Sequence, residues 1–245
     1  VKDKSYTPVG GSVEWLKKIR TSGKKFSLVS NNTTHPPDKL LSLLRSKGFD
    51  LDQGDLDTCM KVTAEWLIKK NIKSYFVLGN EALKSYLRKE GLVIRNDSSV
   101  ESVVVGLDEE LDFQKLKTAT RALVENDAVL VALHANKIYG DSNGEIAPSV
   151  GAVVKALEYA SGKRGLIMGK PSQDFYRNVL RRLEAKPENC LMISDDPLSD
   201  LVGAKKLIIK TAFVLSGKYA KSILKTVDKK DRPDYVYQNI GEIKI

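Results

Sequence analysis

Short apolar runs alternate with helix-period segments along almost the whole chain, and this alternation most narrows what it can fold into. "KFSLVS" (25–30) and residues 74–78, 102–106, 128–133, 166–168, 190–194, 211–215 and 234–237 read as strands, the first of them buried. Between them, residues 12–21, 58–71, 81–90, 112–125, 149–161, 172–184, 198–206 and 218–226 read as helices. A further helix, "DKLLSLLRSKG", is started by Pro36-Pro37 and ended by Gly48, and a Gly- and Asn-containing turn occupies 140–144. Strands joined through helices pair in parallel, so the expected class is α/β with a mainly parallel sheet. At 245 residues, the chain has room for one large domain or two small ones.

Several function classes are disfavoured. No apolar run approaches the roughly 18 residues that cross a bilayer, and no signal-like apolar core is visible, so no membrane role is expected. Cys59 and Cys190 lie far apart, with neither a disulfide framework nor zinc-ligand spacing, which suits a reducing, cytoplasmic setting. The net charge of +9 suits an anionic ligand. The lysines are nevertheless spread along the chain in pairs such as Lys17-Lys18 and Lys69-Lys70, and aromatic residues are too sparse for a stacking surface, so no nucleic acid is expected as partner. Neither G-x-x-x-x-G-K-[ST] nor a strand-following G-x-G-x-x-G occurs, which argues against nucleotide-loop enzymes.

Three polar clusters follow three expected strands. Ser30, Asn31 and Asn32 end "LVSNN"; Lys170 stands in "IMGKPS"; Asp195, Asp196 and Asp200 crowd the end of "CLMISDDPLSD". The carboxyl ends of strands in an open parallel sheet share one edge, where ligands bind. Carboxylates packed at a strand end repel unless something positive sits among them. Together the clusters have the chemistry of phosphoryl transfer: a hydroxyl and amides for phosphoryl oxygens, a lysine to offset charge, and carboxylates for Mg²⁺. Taken singly, each has a plainer reading. Ser30-Asn31-Asn32 is a turn, Lys170 a surface lysine, Asp195 an N-cap and Asp200 a first-turn charge.

The order of these clusters resembles the haloacid dehalogenase (HAD) superfamily, and within it the NagD-like phosphatases. Ser30 with Asn31-Asn32 is similar to the family's second motif, "GKPSQDFY" (169–176) to the third, and "ISDDPLSDLVGAKKL" to the fourth, with Ser194 where Gly is usual. "VVVGLDEELDFQKL" and "VALHANKIYGDSNGEIAPSVGAVVKALEYASG" resemble the α/β cap of that branch. The resemblance implies a three-layer, Rossmann-like HAD core formed by 1–71 and 162–245, with an inserted α/β cap at 72–161. It implies a Mg²⁺-dependent phosphatase acting on a small phosphorylated substrate, and a homodimer through the caps.

The family's nucleophile is an Asp in Asp-x-Asp/Ser/Asn-Gly-[TV], and no such motif is present. "TPVGGSVEWL" is similar to the helix start that follows it, so the nucleophile is expected just upstream of Val1; Asp3 in "VKDKSY" does not fit the motif. The alternative is a catalytically inactive HAD-like binding or scaffold protein. By resemblance, Ser30, Asn31 and Asn32 bind the phosphoryl group, Lys170 bridges nucleophile and phosphate, and Asp195 binds the metal. Asp196 and Asp200 then orient metal waters and Lys170. His134, Asn136 and Tyr139 follow a cap strand and are candidates for substrate choice. His35, Trp15, Trp66 and both cysteines read as structural.

Overall fold

The computed structural model describes residues 6–140 and 145–245; Asp3 and positions 141–144 of the expected turn lie outside them. In chain order the elements are α1 (Ser12–Thr21), β1 (Leu28–Ser30), α2 (Pro37–Ser46), β2 (Leu56–Thr58), α3 (Cys59–Lys69), β3 (Ser74–Leu78), α4 (Glu81–Lys89), β4 (Val93–Ile94), β5 (Ser102–Val105) and α5 (Phe113–Glu125). They continue with β6 (Val129–Ala132), β7 (Ile138–Gly140), β8 (Ile146–Pro148), α6 (Val150–Ser161), β9 (Leu166–Ile167), α7 (Gln173–Leu183), β10 (Leu191–Ser194), α8 (Asp200–Lys205), β11 (Lys210–Val214) and β12 (Tyr235–Tyr237). Contacts gather these into two units. One comprises Val1–Val29, Asp38–Asp57 and Lys170–Ile245; the other comprises Ser30–Pro37 and Thr58–Gly169.

The second unit is built on a five-stranded sheet in the order β4-β3-β5-β6-β9, with parallel pairing throughout. Its strands are continuous apolar runs because helices cover both faces. Side chains alternate across the sheet. Phe76, Leu78, Val103, Val105, Leu130 and Ala132 pack with Ala119, Leu123, Val154 and Leu157 of α5 and α6. Tyr75, Val77, Val104 and Val131 face the other way, onto Met60, Ala64, Leu67, Leu83 and Leu87 of α3 and α4. β7 and β8 form a small antiparallel pair.

The first unit holds a parallel β10-β11-β12 sheet and the β1-β2 pair. Leu16, Leu40, Leu41, Leu44, Phe49, Leu51 and Leu56 bury the apolar stripes of α1 and α2 together. The Trp15 indole adds a hydrogen bond to the Ile243 carbonyl at 2.8 Å, tying α1 to the C-terminal end. Arg20 gathers Asp50, Asp52 and Asp55, while Arg182 and the Ser27 hydroxyl hold the buried Asp57 carboxylate.

The main departures from the sequence-based expectation have local causes. The strand expected at 25–30 is ordered as strand only over Leu28–Ser30 and is half-buried, because it pairs with β2 alone among the described residues. The helix expected over 218–226 is reduced to a 3₁₀ turn at Lys221–Lys225, since Gly217 and Lys218 are committed to side-chain contacts described below. The short strands β2, β4, β7 and β8 carry too few residues to show a period.

Among the described non-glycine residues with positive φ, Ile208 is the β-branched one. Ile208, in the turn from α8 to β11, has φ 58° although it is β-branched and 77% exposed. Its side chain gains little burial to offset that conformation. Ile208→Gly should therefore raise stability by about 1 kcal/mol, read as a thermal midpoint about 2–4 °C higher, whereas an unchanged or lower midpoint contradicts the strain assignment.

Candidate functional site

The end of β10 is turned sharply by its own polar side chains. Asp196 Oδ1 accepts from the Leu198 and Ser199 N–H groups at 3.1 and 3.0 Å, closing a turn of the kind that Asp side chains favour. The Asp196 N–H in turn donates to Ser194 Oγ at 3.1 Å. Asp196, not Asp195, thus makes the local cap. The turn delivers Asp200, the first residue of α8, into a buried position 8% exposed.

Lys170 meets it there. Its ammonium lies 2.7 Å from Asp200 Oδ2, and the two side chains are only 12% and 11% exposed. Withdrawing such a pair from water is costly unless further hydrogen bonds complete it. Ser194 Oγ supplies one, donating to Asp200 Oδ2 at 2.8 Å. The hydroxyl that departs from the family's usual Gly is therefore used. Two further features fix the pair. The Tyr176 hydroxyl of α7 donates to the Asp200 carbonyl at 2.8 Å, and burial, with Asp200 and Asp196 near, holds that phenol above its ordinary pKa and so protonated. A Cβ at Gly203 would lie 2.8 Å from both Cβ and O of Pro171, so only glycine lets α8 approach the Lys170–Pro171 segment, whose peptide bond is cis.

The three carboxylates are thus treated differently. Asp200 is paired with Lys170, and Asp196 Oδ2 with the Lys218 ammonium at 3.0 Å. Burial disfavours the Lys218 cation, but Asp196 and Tyr219 outweigh that and raise its pKa. Asp195 Oδ2 accepts only the Lys218 backbone N–H, at 2.8 Å, and Asp195 has no cationic side-chain partner among the described residues. It is the carboxylate left to meet a cation. Among the described residues, no group of three or more His, Cys, Asp or Glu could hold a metal on protein ligands alone. Asp195, whose Oδ1 has no donor among the described residues, is a carboxylate of the kind a divalent cation takes when waters and phosphate oxygens complete its shell.

In the other unit, the Ser30–Asn32 segment lies at the carboxyl edge of the five-stranded sheet. A Cβ at Gly169, just past β9, would lie 2.5 Å from both Asn31 Oδ1 and the Leu133 carbonyl. The Asn80 amide after β3 donates to the Thr33 carbonyl at 3.2 Å, and the Cys59 thiol to the Asn32 carbonyl at 3.4 Å. Ser30 Oγ accepts from the Asn32 N–H at 3.1 Å, which leaves its proton for another acceptor. Asn32 Oδ1 accepts the N–H groups of Thr34 and His35 at 3.0 and 2.8 Å, so this side chain also shapes its own loop. His134 follows β6 at the same edge, is 4% exposed, and accepts the Asn136 N–H on Nδ1 at 3.3 Å. Asn136 is exposed, and the Tyr139 hydroxyl donates to Glu109 Oε1 at 2.8 Å.

Lys170 and the acid trio are therefore grouped within the first unit, and Ser30–Asn32 and His134 share one sheet edge in the second. Lys218, Gly217 and Tyr176 are the residues that sequence reasoning missed. The available signal was position: Gly217-Lys218 lie in the loop that leaves β11, the strand paired with β10.

Known proteins share this architecture. Residues 4–93 match the family described as "Haloacid dehalogenase-like hydrolase", and residues 167–243 the one described as "HAD-hyrolase-like". The chain belongs to the haloacid dehalogenase-like hydrolases and, within them, to the NagD-like phosphatases. It is 31% identical to human haloacid dehalogenase-like hydrolase domain-containing protein 2 over 215 residues, 87% of this chain and 80% of the relative. Among solved structures, a p-nitrophenyl phosphatase from Archaeoglobus fulgidus superimposes with TM-score 0.88 at 29% identity, covering 98% of this chain and 92% of its own. NagD from E. coli K-12 does so with TM-score 0.86 at 25% identity, covering 100% and 94%.

The buried pair should be energetically coupled. Lys170→Met leaves the Asp200 charge uncompensated and should cost about 3 kcal/mol in chemical denaturation. Adding Asp200→Asn to that variant should restore at least about 1 kcal/mol. Additive losses in the double-mutant cycle contradict the pairing.

Proposed function

We propose that the protein is a Mg²⁺-dependent phosphatase that hydrolyses a small phosphoric monoester through an aspartyl-phosphate intermediate. The observation that carries this reading is a buried, clamped lysine beside a strand-end carboxylate that has no cation of its own.

In this reading each residue has a definite task. The Lys170 ammonium, fixed by Asp200 and Ser194, neutralises charge on the transferring phosphoryl oxygens. Because its position is set before substrate arrives, little reorganisation is needed in the transition state. The Ser30 hydroxyl, which accepts the Asn32 N–H, keeps a proton to donate, and the Asn32 side chain orders the loop around it. Asp195 would hold Mg²⁺, which supplies further charge neutralisation and orients the phosphate. Asp196 and Asp200 act through their neighbours, holding the turn and the lysine. His134 at the sheet edge, and Asn136 and Tyr139 following it, are the candidates for substrate choice. The phosphatase names of the structural relatives support the same chemistry.

The test is turnover of p-nitrophenyl phosphate by the full-length protein. Activity should require Mg²⁺, vanish on chelation, and return on adding the metal back. Lys170→Ala should lower kcat/KM by at least about 10²-fold. A full-length protein that carries the nucleophile motif yet shows no Mg²⁺-dependent turnover on a broad phosphate panel contradicts the proposal.

A further inference from the structure

Asp195 and Asp196 are adjacent at a strand end, and both could close on one cation. A site with two carboxylates, each free to offer two oxygens, suits Ca²⁺, which takes 6–8 oxygen ligands in flexible geometry. Mg²⁺ instead demands a near-octahedral shell and keeps several waters. Something must stop the second carboxylate from joining if the small ion is to be preferred.

The loop after β11 has that geometry. Its start is fixed by a hydrogen bond from the Leu215 N–H to the Tyr237 carbonyl at 3.0 Å. It then crosses the acid pair so closely that a Cβ on Gly217 would lie 2.0 Å from Asp195 Oδ2. Only glycine fits. The next residue handles both carboxylates at once. The Lys218 N–H takes Asp195 Oδ2 at 2.8 Å, and its ammonium takes Asp196 Oδ2 at 3.0 Å. That ammonium also stands 4.7 Å from the centre of the Tyr219 ring, a cation–π distance that helps hold it. Asp196 Oδ1 is already occupied by two backbone donors. Asp196 therefore has a donor on each oxygen, the ammonium among them, whereas Asp195 has a single backbone donor on Oδ2 and, among the described residues, none on Oδ1.

We propose that Lys218 is a positioning residue for cation selectivity: by holding Asp196 away from the cation and occupying one oxygen of Asp195, it favours Mg²⁺ over Ca²⁺. The inference rests on the reading of Asp195 as a metal ligand. Lys218 acts through the two carboxylates it contacts. The Lys218 side chain is 56% exposed, so its removal leaves little unfilled space.

The experiment is calorimetric titration of full-length, substrate-free protein with MgCl₂ and, separately, CaCl₂. The wild type should bind both, with Mg²⁺ the tighter. In Lys218→Met, the ratio of Ca²⁺ to Mg²⁺ affinity should rise by about 10-fold, the scale on which groups behind a metal ligand act. Lys218→Arg should keep the wild-type ratio. Adding Asp196→Asn to Lys218→Met should return the ratio toward wild type, because the released carboxylate is then gone; this double variant separates selectivity from a general loss of structure. A wild type that binds both ions while Lys218→Met shows an unchanged ratio overturns the role of Lys218 and leaves the metal reading intact. A wild type that binds no divalent cation overturns both.

Discussion

The ion pair between Lys170 and Asp200 is the constraint on which the site depends. A lysine this far withdrawn from water needs a fixed counter-charge, and Asp200 provides one at 2.7 Å. The pair persists because each neighbour contributes to it. Ser194 completes the carboxylate, Tyr176 holds the Asp200 carbonyl, and the missing side chain of Gly203 lets α8 close on Pro171. Strand end, helix start and the Lys170 segment are joined by side-chain chemistry at this one place. The result is an ammonium whose position is set before any ligand arrives, which is the state that charge-stabilising catalysis requires.

Around that pair, the acidic cluster is resolved by division of labour. Three carboxylates within six residues would repel if equally exposed to one another. Instead Asp200 is paired with Lys170, Asp196 with Lys218 and two backbone N–H groups, and Asp195 with a single backbone N–H. Each answer uses a different element: the Lys170 segment, the turn itself, and the loop after β11. Negative charge is thereby concentrated on one residue.

Much of this was legible in the sequence, and the reasons are physical. The valine-rich runs at 102–105 and 129–132 announce strands buried on both faces, and the structure covers both faces with helices. Lys170 and Asp200 stood out because a lysine before a proline and a carboxylate after an apolar strand are individually unremarkable but jointly informative. What stayed hidden was whatever depends on a partner distant in sequence. The Gly217-Lys218 loop looks like an ordinary helix start, and only its pairing with residues 22 and 23 positions away shows otherwise. Ser194 looked like a departure from pattern, and its hydroxyl proves to be one of the groups that completes the buried pair. Asn32 looked like a phosphate ligand, whereas its side-chain oxygen is largely spent on its own loop.

The central claim is that the clamped Lys170 and the uncompensated Asp195 serve one phosphoryl group. A crystal structure of the full-length protein grown with Mg²⁺ and orthovanadate, which mimics the transferring phosphoryl centre, tests it most directly. The account predicts the vanadate within hydrogen-bonding distance of Lys170 Nζ, with the cation on Asp195. Vanadate bound elsewhere, with Lys170 and Asp195 both untouched by it, would contradict it.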